Sequence, residues 1–226
     1  MRHALTNHAV RKSTQYLFTR GRLISQHRRV RNTRSADFSK QRYLGQHRHN
    51  TWYICTVTQF DPILAALQAT GVRYVVVGGV AVNLHGYQRF TKDLDLVIEL
   101  IPDQALKALE ALAAIGYKPN VPVKLSDFAN PAIREGWIRD KGMMVFQMYS
   151  DSARMSIDIF VQYPLDFEAL WGQSTAIDLP GASLRIASID HLIFMKRQAG
   201  RPQDLLDIEK LELLKQLLNE QGNALK

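Results

Sequence analysis

The stretch from Val75 to Glu99, VVVGGVAVNLHGYQRFTKDLDLVIE, constrains what this chain can fold into more than any other part of it. Val75, Val76 and Val77 form a β-branched apolar run, the pattern of a strand buried on both faces. Gly78 and Gly79 end that run. Lacking a Cβ, two consecutive glycines let the backbone turn sharply. They also let an anion approach the N–H groups that open a short helix, predicted over Val80 to His85. A loop over 86–92 leads into Asp93-Leu94-Asp95-Leu96-Val97-Ile98, where polar and apolar residues alternate. That alternation puts both carboxylates on one strand face and Leu94 and Leu96 on the other.

Two carboxylates about 6 to 7 Å apart along a strand repel each other and lose hydration in an apolar segment. At a separation of about 4 Å and an effective dielectric of about 20, a like-charge pair costs on the order of 4 kcal/mol. A divalent cation reverses that sign, and Mg²⁺ held by one or two carboxylates plus substrate phosphates is a common solution. A glycine turn suited to phosphate, beside an acid pair suited to Mg²⁺, points to a nucleoside triphosphate site. The bland alternative is an exposed edge strand, which Asp-Leu-Asp-Leu alone would satisfy. A third acid is needed if two metals are to be bridged, and the β-rich run Met155 to Val161 carries Asp158 at its centre. Asp is disfavoured in a strand centre, so Asp158 needs either such a role, an edge position, or a pairing with Arg154 or Arg185.

Together these residues resemble the polymerase-β-like nucleotidyltransferase superfamily: an apolar strand, a Gly pair (Gly78, Gly79), a spacer, Asp-x-Asp (Asp93, Asp95) and a later strand-borne Asp (Asp158). The chain is closer still to the AbiEii-type nucleotidyltransferases of toxin–antitoxin and abortive-infection systems. That likeness runs through Gly-Gly-Val-Ala-Val, Arg89-x-Thr91-x-Asp93-x-Asp95, and Ser188-x-Asp190-x-Leu192-Ile193-x-x-Lys196 with Arg201-x-x-Asp204-x-x-Asp207, over roughly residues 58 to 215. The resemblance implies that Asp93, Asp95 and Asp158 hold two Mg²⁺ ions, with Asp158 the candidate proton acceptor, and that an NTP donates its nucleotidyl group to an acceptor hydroxyl of tRNA or protein. It brings Gly78, Gly79, Arg89, Thr91, Lys196 and Asp204 to the nucleotide, with Lys196 as phosphate contact and catalytic residue. A cognate antitoxin or toxin is the implied protein partner. Transfer to a small molecule, as in aminoglycoside-modifying relatives, and a low-turnover nucleotide-binding antitoxin module are the alternatives.

Several neighbours carry two readings. Arg89 and Lys92 either neutralise phosphate or serve as surface counter-ions. Asp204 and Asp207 lie three apart on one helix face and either orient Lys196 or Arg201 or act as first-turn acids at a helix N-terminus. Thr91 fixes either the loop or a metal-bound water, His85 in an apolar helix reads as structural, and Tyr87 is a candidate base-stacking ring.

Charge divides the chain. Residues 1–52 hold 12 of the 29 Lys and Arg and one acid, Asp37, whereas the remainder holds 17 basic against 20 acidic residues. The first segment is rich in His and Arg, lacks a helical apolar face beyond Tyr16 to Ile24, and is expected to be disordered. It reads as a basic arm for nucleic acid, as a transit-like leader, or as residues ahead of the true start. The acidic balance of the remainder argues against broad nucleic-acid affinity. Cys55 is the single cysteine, so no internal disulfide or Cys-based zinc site can form. No apolar run reaches the ~20 residues of a spanning helix, and a cytoplasmic protein without membrane association is expected.

Further elements follow from caps and periodicity. Helices are predicted from Asp61 to Gly71, from Pro102 to Gly116, from Ser188 to Ala199, and from Pro202 through Leu218. Strands are predicted over Arg73 to Val77, Met143 to Tyr149, Met155 to Tyr163 and Leu184 to Ala187, the middle two paired around Ser150-Asp151-Ser152. Tyr117 to Val123 reads as extended, and Ser126 to Asn130 and Pro131 to Trp137 as short helical pieces. The sum is an α+β fold, a small mixed β-sheet with helices packed on it and a helical C-terminal part, as a domain over 58–220.

Overall fold

The computed structural model describes residues 58–179 and 182–224, so the expectations for residues 1–52 and Cys55 lie outside the described residues. After a 3₁₀ turn at Thr58–Phe60, the described elements run in order α1 (Asp61–Thr70), β1 (Tyr74–Val77), α2 (Gly78–Leu84), β2 (Asp93–Ile98), α3 (Pro102–Ala114), β3 (Lys118–Pro119), α4 (Leu125–Ala129), α5 (Pro131–Lys141), β4 (Val145–Ser150), β5 (Met155–Phe160), α6 (Phe167–Gly172), β6 (Thr175–Leu179), β7 (Ala182–Ile186), α7 (Ile189–Ala199) and α8 (Pro202–Ala224). This is the α+β arrangement expected, with a mixed sheet and a helical C-terminal part.

The seven strands form one sheet in the order β3-β4-β5-β2-β1-β7-β6. β2 runs parallel to β5 and β1 parallel to β7, and the other pairs are antiparallel. A parallel neighbour cannot be reached through a tight hairpin, so the chain leaves β2 through α3, β3, α4, α5 and β4 before β5 lies down beside it.

The core explains this layout. Leu94 and Leu96 of β2, Ile157 and Ile159 of β5, and Phe146 and Met148 of β4 point to one sheet face and are fully buried. Helix α3 contributes Ala105, Ala108, Leu109 and Leu112 to the same core cluster. Phe146 lies 5.1 Å from Phe128 and stacks at 5.8 Å on Trp137, so α4 and α5 cover its ring. Arg134 of α5 is buried among them. Its Nη1 donates to the carbonyls of Phe128 (2.5 Å) and Ala129 (3.0 Å) at the end of α4, and its Nη2 to that of Leu100 at 3.3 Å.

Glycines in the left-handed region end α1 at Gly71, α5 at Gly142 and α7 at Gly200. The structure departs from the sequence pattern in a few places. Asp61 is the first residue of α1, not its cap, and Phe60 precedes it with no side-chain cap. Of the extended 117–123 segment only Lys118–Pro119 forms a strand, and the Asn120 N–H adds one further bond to the Gln147 carbonyl at 2.9 Å. Helix α2 begins at Gly78, two residues ahead of the predicted start. Helix α6 and strand β6 carried no usable pattern: α6 buries only Phe167 and Leu170, and no residue of edge strand β6 is fully buried.

Among the described residues no helix is long and apolar enough to cross a membrane. Arg134→Met keeps the aliphatic stem but strands the α4 carbonyls without a donor, so it is expected to lower stability by about 2 to 3 kcal/mol in urea unfolding.

Candidate active site

Three acids share the sheet face opposite the apolar core. Asp93 and Asp95 lie on β2 and Asp158 on β5, all partly buried, and the parallel register sets Asp95 directly beside Asp158 and Asp93 beside Ser156. Neighbours in a ladder sit about 4.8 Å apart along the hydrogen-bonding direction, so these side chains share one patch of surface. The electrostatic cost shows in their acidity. Burial, followed by the charges of Asp158 and Asp93, pushes the Asp95 carboxyl up to about 7, against the pull of the Gly79 N–H and of Lys196. Asp158 is also raised, by burial and by Asp93, although a hydrogen bond from Gln147 and the charge of Arg201 oppose this.

The glycine pair is fitted to these neighbours. Gly78 has φ +61, and a Cβ there would lie 1.9 Å from Asp95 Oδ2. A Cβ on Gly79 would lie 2.6 Å from Thr91 Oγ1 and 2.7 Å from Arg89 Nη2. Sequence pattern suggested room for phosphate at this turn. Here the same bare backbone admits the Asp95 carboxyl and the Arg89 and Thr91 side chains.

Asn83, on α2, shapes the loop that follows. Its Nδ2 donates to the Arg89 carbonyl at 2.8 Å, and its Oδ1 accepts from the Arg89 N–H at 2.9 Å. This two-point hold ties the loop to the last turn of the helix, while Thr91 Oγ1 donates to the Asp93 carbonyl at 3.3 Å. Phe90, between them, is 78% exposed, whereas Tyr87 packs against the core. The exposed ring beside the site is thus Phe90, and Lys92 Nζ lies 5.8 Å from its centroid. His85 is structural, as expected: its Nε2 meets the Ala187 carbonyl at 2.8 Å, and burial lowers its pKa.

The C-terminal helices bring a buried ion network against this loop. Lys196 of α7 is 5% exposed, and its Nζ donates to Asp204 Oδ1 at 3.2 Å and to Asp207 Oδ2 at 2.5 Å. Asp207 is fully buried, accepts from Gln203 Nε2 at 3.1 Å, and lies 3.1 Å from Arg89 Nε, which is not aligned to donate. Asp204 also takes Arg201 Nε at 2.7 Å. Burial alone would raise the Asp204 carboxyl, but Arg201 and Lys196 outweigh it and hold it below the usual range. Asp204 is a first-turn acid of α8 that accepts the Arg201 N–H at 3.2 Å and also contacts the Lys196 and Arg201 side chains, so both readings describe it. Lys196 Nζ is thus buried between Asp204 and Asp207, while Arg197 Nη2 donates to Glu212 Oε1 at 2.7 Å.

The donor chemistry suits a hard divalent cation: three carboxylates of one sheet face, two of them with pKa values raised first by burial and then by neighbouring carboxylate charge. Among the described residues no three His, Cys, Asp or Glu side chains are drawn together closely enough to hold a metal unaided.

Two residues of this site escaped the sequence reading. Asn83 is the one polar side chain in Val80-Ala81-Val82-Asn83-Leu84, which was its signal. Gln147 donates from Nε2 to Asp158 Oδ1 at 2.9 Å. The hairpin register that sets it there depends on the true turn length: the strands run to Ser150 and resume at Met155, with Arg154 at φ 51.

The structure thus brings together a Gly-Gly turn after a buried strand, an Asp-x-Asp strand and a third acid on its parallel neighbour. The chain belongs to the family described as nucleotidyl transferase of unknown function (DUF2204), which matches residues 56–226. No curated protein matches it. Among solved structures it is similar to the lincosamide antibiotic adenylyltransferase LnuA, lincomycin-bound (18% identity, 70% of this chain and 96% of that one, TM-score 0.48), and to the antibiotic-resistance factor ANT(2'')-Ia (16%, 76% and 95%, 0.47). It is also similar to an antigenic nucleotidyltransferase-like protein from Paracoccidioides brasiliensis (15%, 68% and 75%, 0.42).

Two outcomes follow. Gly78→Ala forces the Asp95 carboxyl out of its place and is expected to cost about 1 to 3 kcal/mol of stability, read by thermal unfolding, with loss of any activity. An acid whose folded pKa is raised stabilises the fold below its unfolded value and loses that contribution as pH rises. In chelator, the Asp95 contribution is therefore present near its ordinary value of 3.8 and fades as pH passes about 7. Urea unfolding at pH 5 and pH 8 should show stability falling with pH in the wild type, and a smaller fall in Asp95→Asn.

Proposed function

We propose that the chain is a Mg²⁺-dependent nucleotidyltransferase of the AbiEii type, which moves a nucleoside monophosphate from an NTP to a hydroxyl of tRNA or of a partner protein in a cytoplasmic toxin–antitoxin setting. The observation that carries this reading is the three-acid sheet face, with Asp95 beside Asp158 and its carboxyl raised by burial and by the Asp158 charge. Residues 58–220 form the catalytic unit, and 1–52 lie outside it.

Asp93, Asp95 and Asp158 would hold the metal. Bound divalent cations supply Lewis-acid charge to phosphate oxygens and lower the pKa of a coordinated hydroxyl. Asp158 accepts the acceptor hydroxyl's proton, the hydroxyl oxygen bonds to the α-phosphorus, and the bond to the bridging oxygen breaks to release pyrophosphate. Arg89, held by Asn83 at its backbone and by Asp207 at its guanidinium, stands over Gly79 to meet phosphate charge. Thr91 fixes the loop, and Gly78 and Gly79 keep the approach free of Cβ atoms. Lys196 and Asp204 act from behind this surface: Lys196 neutralises Asp207 and Asp204, which keeps Arg89 and Arg201 at the rim.

The test is incubation of the protein and Mg²⁺ with labelled NTPs and, separately, total tRNA, a neighbouring-gene protein and aminoglycosides. Label is expected on tRNA or protein and is expected to fall by about 10²-fold or more in Asp93→Ala. Label on the aminoglycoside alone would replace the acceptor assignment, and label that survives Asp93→Ala would refute the site.

A further inference from the structure

We propose that Asn120 and Gln147 are positioning residues, a hydrogen-bonded pair of amides that aims Asp158 at the acceptor; this rests on the nucleotidyl-transfer reading above. Three contacts carry it. Asn120 Nδ2 donates to Gln147 Oε1 at 2.8 Å, and Gln147 Nε2 donates to Asp158 Oδ1 at 2.9 Å. The Asn120 N–H donates to the Gln147 carbonyl at 2.9 Å, so backbone and side chain tie the same two residues. The antiparallel register of β4 and β5 sets Gln147 directly opposite Asp158, on the same sheet face.

The direction of the relay follows from its chemistry. A carboxylate only accepts, so Gln147 must turn its NH₂ to Asp158, and its carbonyl then needs a donor, which Asn120 provides. Without Asn120 the amide can rotate and set an oxygen against the carboxylate. The donors are also neutral. An Arg or Lys in the place of Gln147 would cancel the Asp158 charge and with it the attraction for a cation or a proton, whereas an amide fixes the carboxyl's orientation and leaves the charge in place. Asp158 Oδ1 is occupied in this way, and Oδ2 makes no hydrogen bond to a described residue. The sheet order assigns the relay to one half of the site. β5 has β2, with Gly78, Gly79 and Arg89 beyond it, on one side and β4 with Gln147 on the other. Gln147 and Asn120 therefore act on the acceptor half and leave the nucleotide half alone.

The experiment compares Gln147→Leu, Gln147→Glu and Asn120→Ala with the wild type. Loss of a residue that orients a reacting carboxylate is expected to lower kcat about 10- to 100-fold for both Gln147 variants and less for Asn120→Ala. KM for the NTP should remain within about 2-fold. A kcat within that margin in Gln147→Leu, or an NTP KM that rises in step with the loss, overturns the proposal. A second readout needs no turnover: the Gln147 side-chain amide cross-peak in nitrogen-resolved NMR should shift in both Asn120→Ala and Asp158→Ala, and a cross-peak unmoved in either overturns the relay. Wild-type protein that labels no acceptor would sink the nucleotidyl-transfer reading, while the cross-peaks would still decide the relay.

Discussion

The parallel pairing of β2 with β5 sets two carboxyls side by side on a surface with too little counter-charge, and much of the molecule is arranged around that conflict. The pairing itself is secured from the other side of the sheet, where Leu94, Leu96, Ile157 and Ile159 are fully buried under α3 and its neighbours. Alternation then forces the intervening residues, Asp95 and Asp158, onto the opposite face whatever their charges. Burial of apolar side chains stabilises by about 1.5 to 3 kcal/mol each, enough together to hold acids in a place they would not choose. The energetic debt of the site is carried by a core that takes no part in the chemistry.

A second charged layer lies behind the first and has the opposite character. Lys196, Asp204, Asp207, Arg89 and Arg201 are matched in contact, and the two acids are almost wholly buried. A buried ion pair of this kind gives little net stability, since desolvation offsets most of its attraction, but breaking one half leaves an uncompensated charge. It therefore acts as a register device. α7, α8 and the loop after α2 meet where Lys196, Arg201 and Arg89 reach these two acids, with the Arg89 guanidinium close to Gly79.

What could be read from the chain was what is local. The valine run, the glycine pair, the Asp-x-Asp alternation and the stop at Gly200 each act within a few residues, and β1, β2 and α7 lie close to where the pattern put them. Ser188 accepts from the His191 N–H, the cap its position suggested. What stayed hidden was pairing across distance. Nothing near Lys196 announces that α8 will fold back and bury its ammonium between two acids, and the same letters describe a solvated helix end. Gln147 reads as one more polar residue until the strand register is known, and a turn longer by a residue would set a different neighbour against Asp158. The glycines were noticed but for a different reason, since their partners Asp95, Arg89 and Thr91 arrive from later in the chain.

The long excursion from β2 to β5 also carries a consequence for timing. Contacts between distant parts of a chain form late, because loop closure must come first. On the ribosome Asp93 and Asp95 emerge while β5 has yet to be made, and the anchors at Asp204 and Asp207 come later still. A nascent chain thus holds only scattered pieces of the acidic face, and the chemistry proposed for it has to wait until α8 has been made.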